Sequence, residues 1–262
     1  RSVLTREYES QRYATFEEIL SAFVADLGGV SVDAAAIGVA GPILQQTARL
    51  TNIDWEVSAS GISAQLGGSK VILLNDLEAM AWSIPVLSAS ELHVLQAGVP
   101  QPGGNAAVVA AGTGLGEAFL PRIDGRFRVL SSEAGHTDFA ARTEREMALV
   151  AHLTERFGRA SLEHVVSGPG LLNLHVFTHQ LRPACEAVPD LAAPGAAAQI
   201  TGAALDGRCP HCGEALAMFA EALGAEAGNL GLRGTATAGV YIGGGIAPRV
   251  LPALHTDAFG RA

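Results

Sequence analysis

Lysine is almost missing from this chain of 262 residues: of its 17 basic residues, 16 are arginine and only Lys70 is lysine. That scarcity excludes several chemistries. A Walker A loop needs a lysine on the β/γ-phosphates, a protein kinase needs its strand lysine, and a Schiff-base enzyme needs a reactive amine. Lys70 would have to serve by itself, and its setting, Gly67-Gly68-Ser69-Lys70-Val71, is neither G-x-x-x-x-G-K-[ST] nor V-A-I-K. Cysteine is scarce too. Cys185, Cys209 and Cys212 are too few and too odd in number for a disulfide framework. No apolar run approaches the roughly 18 residues of a membrane span, and no signal-like amino terminus is present. A reducing cytoplasm is the simplest home. Positive charge is short overall, and a net charge of -9 with a pI near 5.3 argues against a nucleic-acid footprint or a polybasic membrane patch. Small molecules or other proteins are the expected partners.

What remains is an ordinary globular composition, 48% hydrophobic and 16% charged. At about 150 residues per domain the length predicts one or two domains. Thr15-Phe16-Glu17-Glu18 reads as a capping box ahead of an apolar stripe through Phe16, Ile19, Leu20, Phe23, Val24 and Leu27, a helix that Gly28 can end. The runs from Ala34 to Ala40 and Val71 to Leu74 suit strands buried on both faces of a partly parallel sheet. From Ala106 a meander is expected, with Asp124-Gly125 as a hairpin turn. Capped helices should follow from Thr143, with Glu146 completing a capping box, and from Ser161. Pro183 to Ala198 reads as a surface excursion, and a long helix from Cys212 to about Leu232 should lead into a strand from Gly239 to Ile242. A domain boundary is placed near Gln101-Pro102-Gly103-Gly104-Asn105, giving an α/β domain over 1–105 and a second over 106–262.

Glycine is abundant, with 31 residues against an average of roughly 7%. Gly112-Thr113-Gly114-Leu115-Gly116 falls in a hairpin whose amides can cradle an anion, with Thr113 adding a hydroxyl. Gly243-Gly244-Gly245 ends a strand and is expected to open a helix at Ile246, where a phosphate or flat ring could approach. On spacing alone a tight turn explains either motif equally well. Asn75-Asp76 emerges at the carboxyl end of a buried run, where open α/β sheets place ligands. Asp76 there is either a general base or the cap of a helix from Leu77 to Ser83. Glu133-Ala134-Gly135-His136-Thr137-Asp138 sets two acids and a histidine around a glycine, able to hydrogen-bond adjacent hydroxyls of a polyol. These spacings match no zinc signature. Cys209-Pro210-His211-Cys212 invites a zinc or redox reading. The only nearby histidines, His175 and His179, lie upstream across a Pro/Ala-rich stretch, so free thiols at a helix start and no metal site are expected. Trp55 and Trp82 read as core or interface anchors.

Taken in order, the segments Ala40-Gly41-Pro42-Ile43, Leu50 to Trp55, Leu74-Asn75-Asp76, Gly112 to Gly116, Glu133 to Phe139, Glu163 to Leu171 and Gly243 to Arg249 resemble the bacterial ATP-dependent glucokinases. That family belongs to the sugar kinase and actin-like superfamily, and the resemblance runs over nearly the whole chain. It implies a two-domain α/β fold of the ribonuclease H-like kind with a cleft between the domains. It implies transfer of the γ-phosphoryl of ATP, with Mg2+, to O6 of glucose as the first step of glycolysis. Asp76 matches the family's general base and Asn75 its neighbour in the sugar-binding pair; Glu133, His136 and Glu163 match the other glucose contacts. Gly112, Thr113, Gly114 and Gly116 match the second phosphate loop, and Gly243, Gly244 and Gly245 the adenosine-side motif. Selectivity for the sugar would come from buried acids and the histidine. The family's amino-terminal D-x-G-G-T hairpin and its closing carboxyl-terminal elements have no counterpart here, so both ends look trimmed. The Cys-rich zinc signature of the related repressor/kinase families is absent. A non-catalytic sugar-binding relative and a kinase for another hexose are the alternatives. A homodimer is the usual assembly of families of this kind.

Overall fold

The computed structural model describes residues 4–50, 53–180, 185–188 and 190–262. Contacts divide the chain into two compact units, 1–80 and 81–262.

In the first unit Thr15 caps α1 (Phe16–Asp26) by accepting from Glu18 N. The return bond of the expected capping box goes one residue further out, from Ala14 N to the Glu18 carboxylate at 2.8 Å. β1 (Ala34–Val39) leads to an antiparallel ribbon of β2 (Ile43–Leu44), β3 (Thr47–Arg49) and β4 (Glu56–Ser58). Ser58 then caps α2 (Ala59–Gln65). β5 (Lys70–Asn75) lies parallel to β1, pairing Val39 with Asn75. The parallel pairing is as expected, but burial on both faces is not. Ala34, Ala36, Lys70 and Ile72 are exposed, whereas Val39 and Leu73 join Leu20, Ala48, Val57 and Ile62 in the core. Among the described residues this parallel sheet has two strands; the face opposite Leu73 is open at its Ala34/Lys70 end and covered at its far end, where Leu74 is buried and Gly38 lies against Ala79. α3 (Asp76–Ser83) follows β5 without a break.

The Pro/Gly-rich stretch expected to mark a boundary bonds into the second unit. Gln101 N donates to Thr237 O at 2.9 Å and Asn105 Nδ2 to Gly234 O at 3.1 Å. The sheet of this unit has the order β10-β7-β6-β11. β6 (Ala106–Ala111) is buried at all six positions, as befits a central strand of small apolar residues. It pairs antiparallel with β7 (Leu115–Leu120) and parallel with β11 (Gly239–Gly243). The short strands β8 (Arg122–Ile123) and β9 (Arg126–Phe127) close the Asp124-Gly125 hairpin, both turn residues having positive φ, and β10 (Leu130–Ser132) returns along β7.

α4 (Glu144–Phe157) carries the Thr143/Glu146 capping box and ends on left-handed Gly158. The next helix, α5 (Gly168–Thr178), begins seven residues after the expected Ser161. Ser161 to Val166 instead form tight turns, with His164 N on Ser161 O and Val165 N on Leu162 O. Ser167 provides the cap, accepting from Gly170 N at 2.9 Å, and Pro169 occupies the first turn where its missing N–H costs nothing. α6 (Ala196–Leu205) and α7 (Pro210–Gly234) pack with α5 around a core that includes Leu171, Leu174, Phe219 and Leu223. The excursion expected over 183–198 lies partly outside the described residues, and its described part is not merely surface: Val188 and Ala196 are buried. α8 (Leu251–Leu254) and α9 (Asp257–Gly260) are single turns.

Three acids are buried within this packing, Glu117, Glu146 and Glu226, and the first lacks the ion pair that the other two make. Glu117, at the centre of β7, is fully buried, and neither of its carboxyl oxygens has a hydrogen-bond partner. Burial, and then the charge of Glu226 on α7, push its carboxyl up to about 7 against the pull of Arg233. Glu226 is itself held by Arg233 and Asn229. The folded state therefore prefers Glu117 protonated, while the unfolded chain releases that proton near 4.5. Stability contributed by the neutral form is complete below that value and is lost as pH rises to about 7. Glu117→Gln should remove on the order of 2 kcal/mol of this pH-dependent loss, read as a flatter unfolding free energy against pH in urea titrations. An unchanged slope would refute the assignment.

Candidate functional site

Two groups of side chains carry the candidate chemistry, one in each unit. In the first, Asn75 is the last residue of β5 and Asp76 the first of α3. Asn75 Oδ1 and Asp76 Oδ1 each accept from Leu77 N at 2.9 Å. The cap is thus shared, with Asn75 one residue ahead of the helix and Asp76 in its first turn, rather than Asp76 alone capping a helix from Leu77. The Asp76 carboxylate is exposed, not buried, at the carboxyl end of a parallel strand. An open hollow lined by Val30 to Asp33 and Gln65 to Ser69 lies at the opposite end of β1 and β5, away from this carboxylate.

In the second unit the glycine hairpin joins β6 to β7. Gly112 N donates to Gly114 O at 2.9 Å, closing a tight turn with Thr113 exposed at its tip. Gly112 O accepts from Gly168 N at 2.8 Å, which seats the start of α5 on the loop. Glu163 braces the other side, its Oε2 accepting from Leu115 N at 3.0 Å. A Cβ on Gly114 would come 2.5 Å from that oxygen, so a larger residue there would displace the Glu163 carboxylate from its bond to Leu115 N.

The same glutamate faces the acid/histidine segment. Its Oε1 lies 3.8 Å from His136 Nδ1, and His136 Nε2 lies 3.8 Å from Glu133 Oε2. Backbone bonds fix the arrangement: Glu163 N donates to Gly135 O and His136 N to Glu133 O. Glu133, His136 and Glu163, scattered over thirty positions of sequence, are therefore brought together beside the hairpin. They are not buried. The Glu133 side chain is 93% exposed, His136 64% and Glu163 31%, so these polar groups are solvated until something covers them. Asp138 serves elsewhere, paired to Arg159 at 2.6 Å.

The second glycine motif leaves the same end of the sheet, since Gly243 pairs with Ala110. Gly244 has φ +87°, and a Cβ on it would strike the Ala111 carbonyl. The helix expected at Ile246 does not form. Arg249 N and Val250 N both bond to Ile246 O as a single turn, and α8 starts only at Leu251. Pro252 explains this: in a helix begun at Ile246 it would sit in the interior and break it, whereas in α8 it occupies the first turn. Anion binding here would rest on turn amides, not on a helix dipole.

The sequence reading missed the role of Glu163 as a brace, which only the fold reveals. The three cysteines are free thiols, as expected, and the fold brings a distant histidine to them: His179 Nε2 lies 3.4 Å from Cys209 Sγ.

Gly244→Ala should cost about 1–3 kcal/mol in urea unfolding through its left-handed backbone and the carbonyl clash. Gly245→Ala, whose Cβ would meet nothing within 4 Å, should stay within about 0.5 kcal/mol. Equal effects would contradict the close approach at Ala111.

A family model described as Glucokinase matches residues 2–262. The glucokinase of Nostoc punctiforme is 35% identical over 277 residues, covering 98% of this chain and 80% of its own length. That of Chromobacterium violaceum is 38% identical over 252 residues, covering 96% and 71%. The crystal structure of a glucokinase from an Antarctic psychrotroph superimposes with a TM-score of 0.85 at 31% identity, covering 97% of this chain and 77% of that one. A ROK family glucokinase from Streptomyces griseus, solved with glucose and AMPPNP, shares the fold at a TM-score of 0.60 and 23% identity, covering 94% and 78%.

Proposed function

The chain belongs to the glucokinase family, and on that premise we propose how its residues perform ATP-dependent phosphorylation of glucose. Phosphoryl transfer asks little covalent work of a protein; it requires an acceptor oxygen held in line and neutralised phosphoryl charge. Asp76 takes the proton of the sugar's 6-hydroxyl as general base, with Asn75 beside it as a further sugar contact. Glu133, His136 and Glu163 accept and donate hydrogen bonds to the remaining hydroxyls. Gly112, Thr113, Gly114 and Gly116 hold the phosphates, and Gly243, Gly244 and Gly245 take the adenosine side.

The observation that carries this reading is the double duty of Glu163. One of its oxygens holds Leu115 N at the base of the glycine hairpin and the other faces His136. A carboxylate so placed ties the sugar-hydroxyl group to the phosphate loop through a single side chain. Mg2+ enters as part of the MgATP substrate, held chiefly by the phosphates. No lysine is needed in this scheme.

Because Glu133 and His136 are solvated before substrate arrives, selectivity arises on binding. A hexose that covers them must satisfy each, and an analogue lacking a hydroxyl leaves one unpaired. Among the described residues no helix is long and apolar enough to cross a membrane; a cytoplasmic home and a homodimeric assembly complete the proposal.

Asp76→Asn should lower kcat for glucose-dependent ADP release at least ~100-fold while glucose binding by calorimetry changes little. Retained turnover would overturn the role of Asp76. Lys70→Arg, an exposed change at the start of β5 opposite Ala34, should leave both parameters unaltered in the same assays.

A further inference from the structure

The cysteines, which the proposed reaction does not use, converge. α5 ends at Thr178 and sets His179 just beyond it; the chain then returns through Cys185, and α7 begins with Cys209 as its cap residue and Cys212 in its first turn. His179 Nε2 and the sulfurs of Cys185, Cys209 and Cys212 all lie within 4.8 Å of one another. Within that group His179 Nε2 is 3.4 Å from Cys209 Sγ, and the sulfurs of Cys185 and Cys212 are 3.8 Å apart. Tetrahedral zinc with bonds of about 2.3 Å to sulfur and 2.0–2.1 Å to nitrogen sets ligand atoms roughly 3.6–3.8 Å apart. We propose that His179, Cys185, Cys209 and Cys212 form a structural Zn2+ site of the three-cysteine, one-histidine type.

Three further features agree. The first is the imidazole's orientation. His179 Nδ1 lies 2.8 Å from the carbonyl oxygen of His175, so it donates there and leaves Nε2 as the lone-pair nitrogen facing the sulfurs. A backbone acceptor on the far ring nitrogen is the usual support of a metal-bound histidine. The second is the electrostatic setting. Cys209 and Cys212 occupy the amino terminus of a 25-residue helix, whose dipole favours thiolates. His175, stacked on His179 with ring centroids 3.9 Å apart, presents Nδ1 3.6 Å from Cys212 Sγ as an outer contact. The third is the packing around the cluster, which belongs to a small satellite core whose buried apolar residues are Val188, Ala196, Ile200 and Ala203, with Leu172 and Leu191 packed against it. So small a core gains from a cross-link.

Binding is written as Zn2+ plus three cysteine thiols and one neutral imidazole giving a four-coordinate complex of net charge -1 and three released protons. No oxidant is involved. The motif C-x-x-C supplies two ligands from sequence; the other two come from the folding back of α5 and the segment after it.

The test uses the full chain, purified under reducing conditions without chelator, and reads metal content by elemental analysis. One zinc per chain is expected. After removal by chelator, titration with Co2+ should give thiolate-to-cobalt charge-transfer bands and the intense visible absorption of a tetrahedral site, saturating at one equivalent and displaced by Zn2+. The double variant Cys209→Ser/Cys212→Ser should lose these bands. His179→Gln, which keeps all three thiols, should weaken Zn2+ binding at least ~10-fold with its far-ultraviolet circular dichroism unchanged. Zinc-loaded wild-type chain should resist proteolysis over 180–209 more than the stripped chain. Absence of stoichiometric metal with no thiolate bands in the wild type, uptake undiminished in the double serine variant, or a Cys185–Cys212 disulfide under the same conditions would each overturn the site. None of these measurements depends on turnover of glucose.

Discussion

The hydrogen bond from Leu115 N to the Glu163 carboxylate is the constraint on which the larger unit's chemistry is arranged. A hairpin of glycines has little intrinsic shape, since each glycine loses more conformational freedom on folding than any other residue. Fixed partners on its flanks overcome that. Glu163 holds one side, Gly168 N holds Gly112 on the other, and the all-buried strand β6 holds the base. A charge-assisted bond of this kind is worth more than a neutral one, and a buried N–H left without it would be costly. Because the second oxygen of Glu163 faces His136, the order imposed on the loop extends to the acid/histidine group beside it.

The same unit tolerates a buried acid elsewhere. Glu117 stands two residues into β7 beyond Leu115, next to the Glu226–Arg233 ion pair on α7. Two buried acids sharing one half-exposed arginine cannot both be ionised comfortably, and the one without the ion pair carries the proton. The polar demand of the site is therefore met at the sheet's end, while its centre holds an acid kept neutral by surroundings, two environments set by one strand.

Much of this was legible in the chain. Thr15, Thr143 and Asp124-Gly125 act locally, through caps and a turn that need only their immediate neighbours, and they stand where the sequence put them. The glycine motifs and the Asn75-Asp76 pair were legible as strand ends, because a buried run followed by polar or glycine residues is recognisable without the rest of the fold. What escaped depended on contacts distant in sequence. Ser161 and Ser167 are equally good caps on paper; the close approach of Gly170 to the Val165 carbonyl and the bond from Gly168 to Gly112 decide for the second. Ile246 begins an apolar stretch, but Pro252 six residues on governs where the helix starts. The exposure of Asp76, Glu133 and His136 was not legible because it depends on what packs over a loop, and the nearness of His179 to Cys209 was not because folding cancels their separation in sequence.

α5 joins two of these outcomes. Its eleven residues span about 17 Å, with the amino end hydrogen-bonded to the Gly112–Gly116 hairpin and the carboxyl end running into His179. A ligand at either end that favours one placement of this helix would be felt at the other: by thermodynamic reciprocity, whatever factor occupancy at one end imposes on affinity at the other is imposed in return.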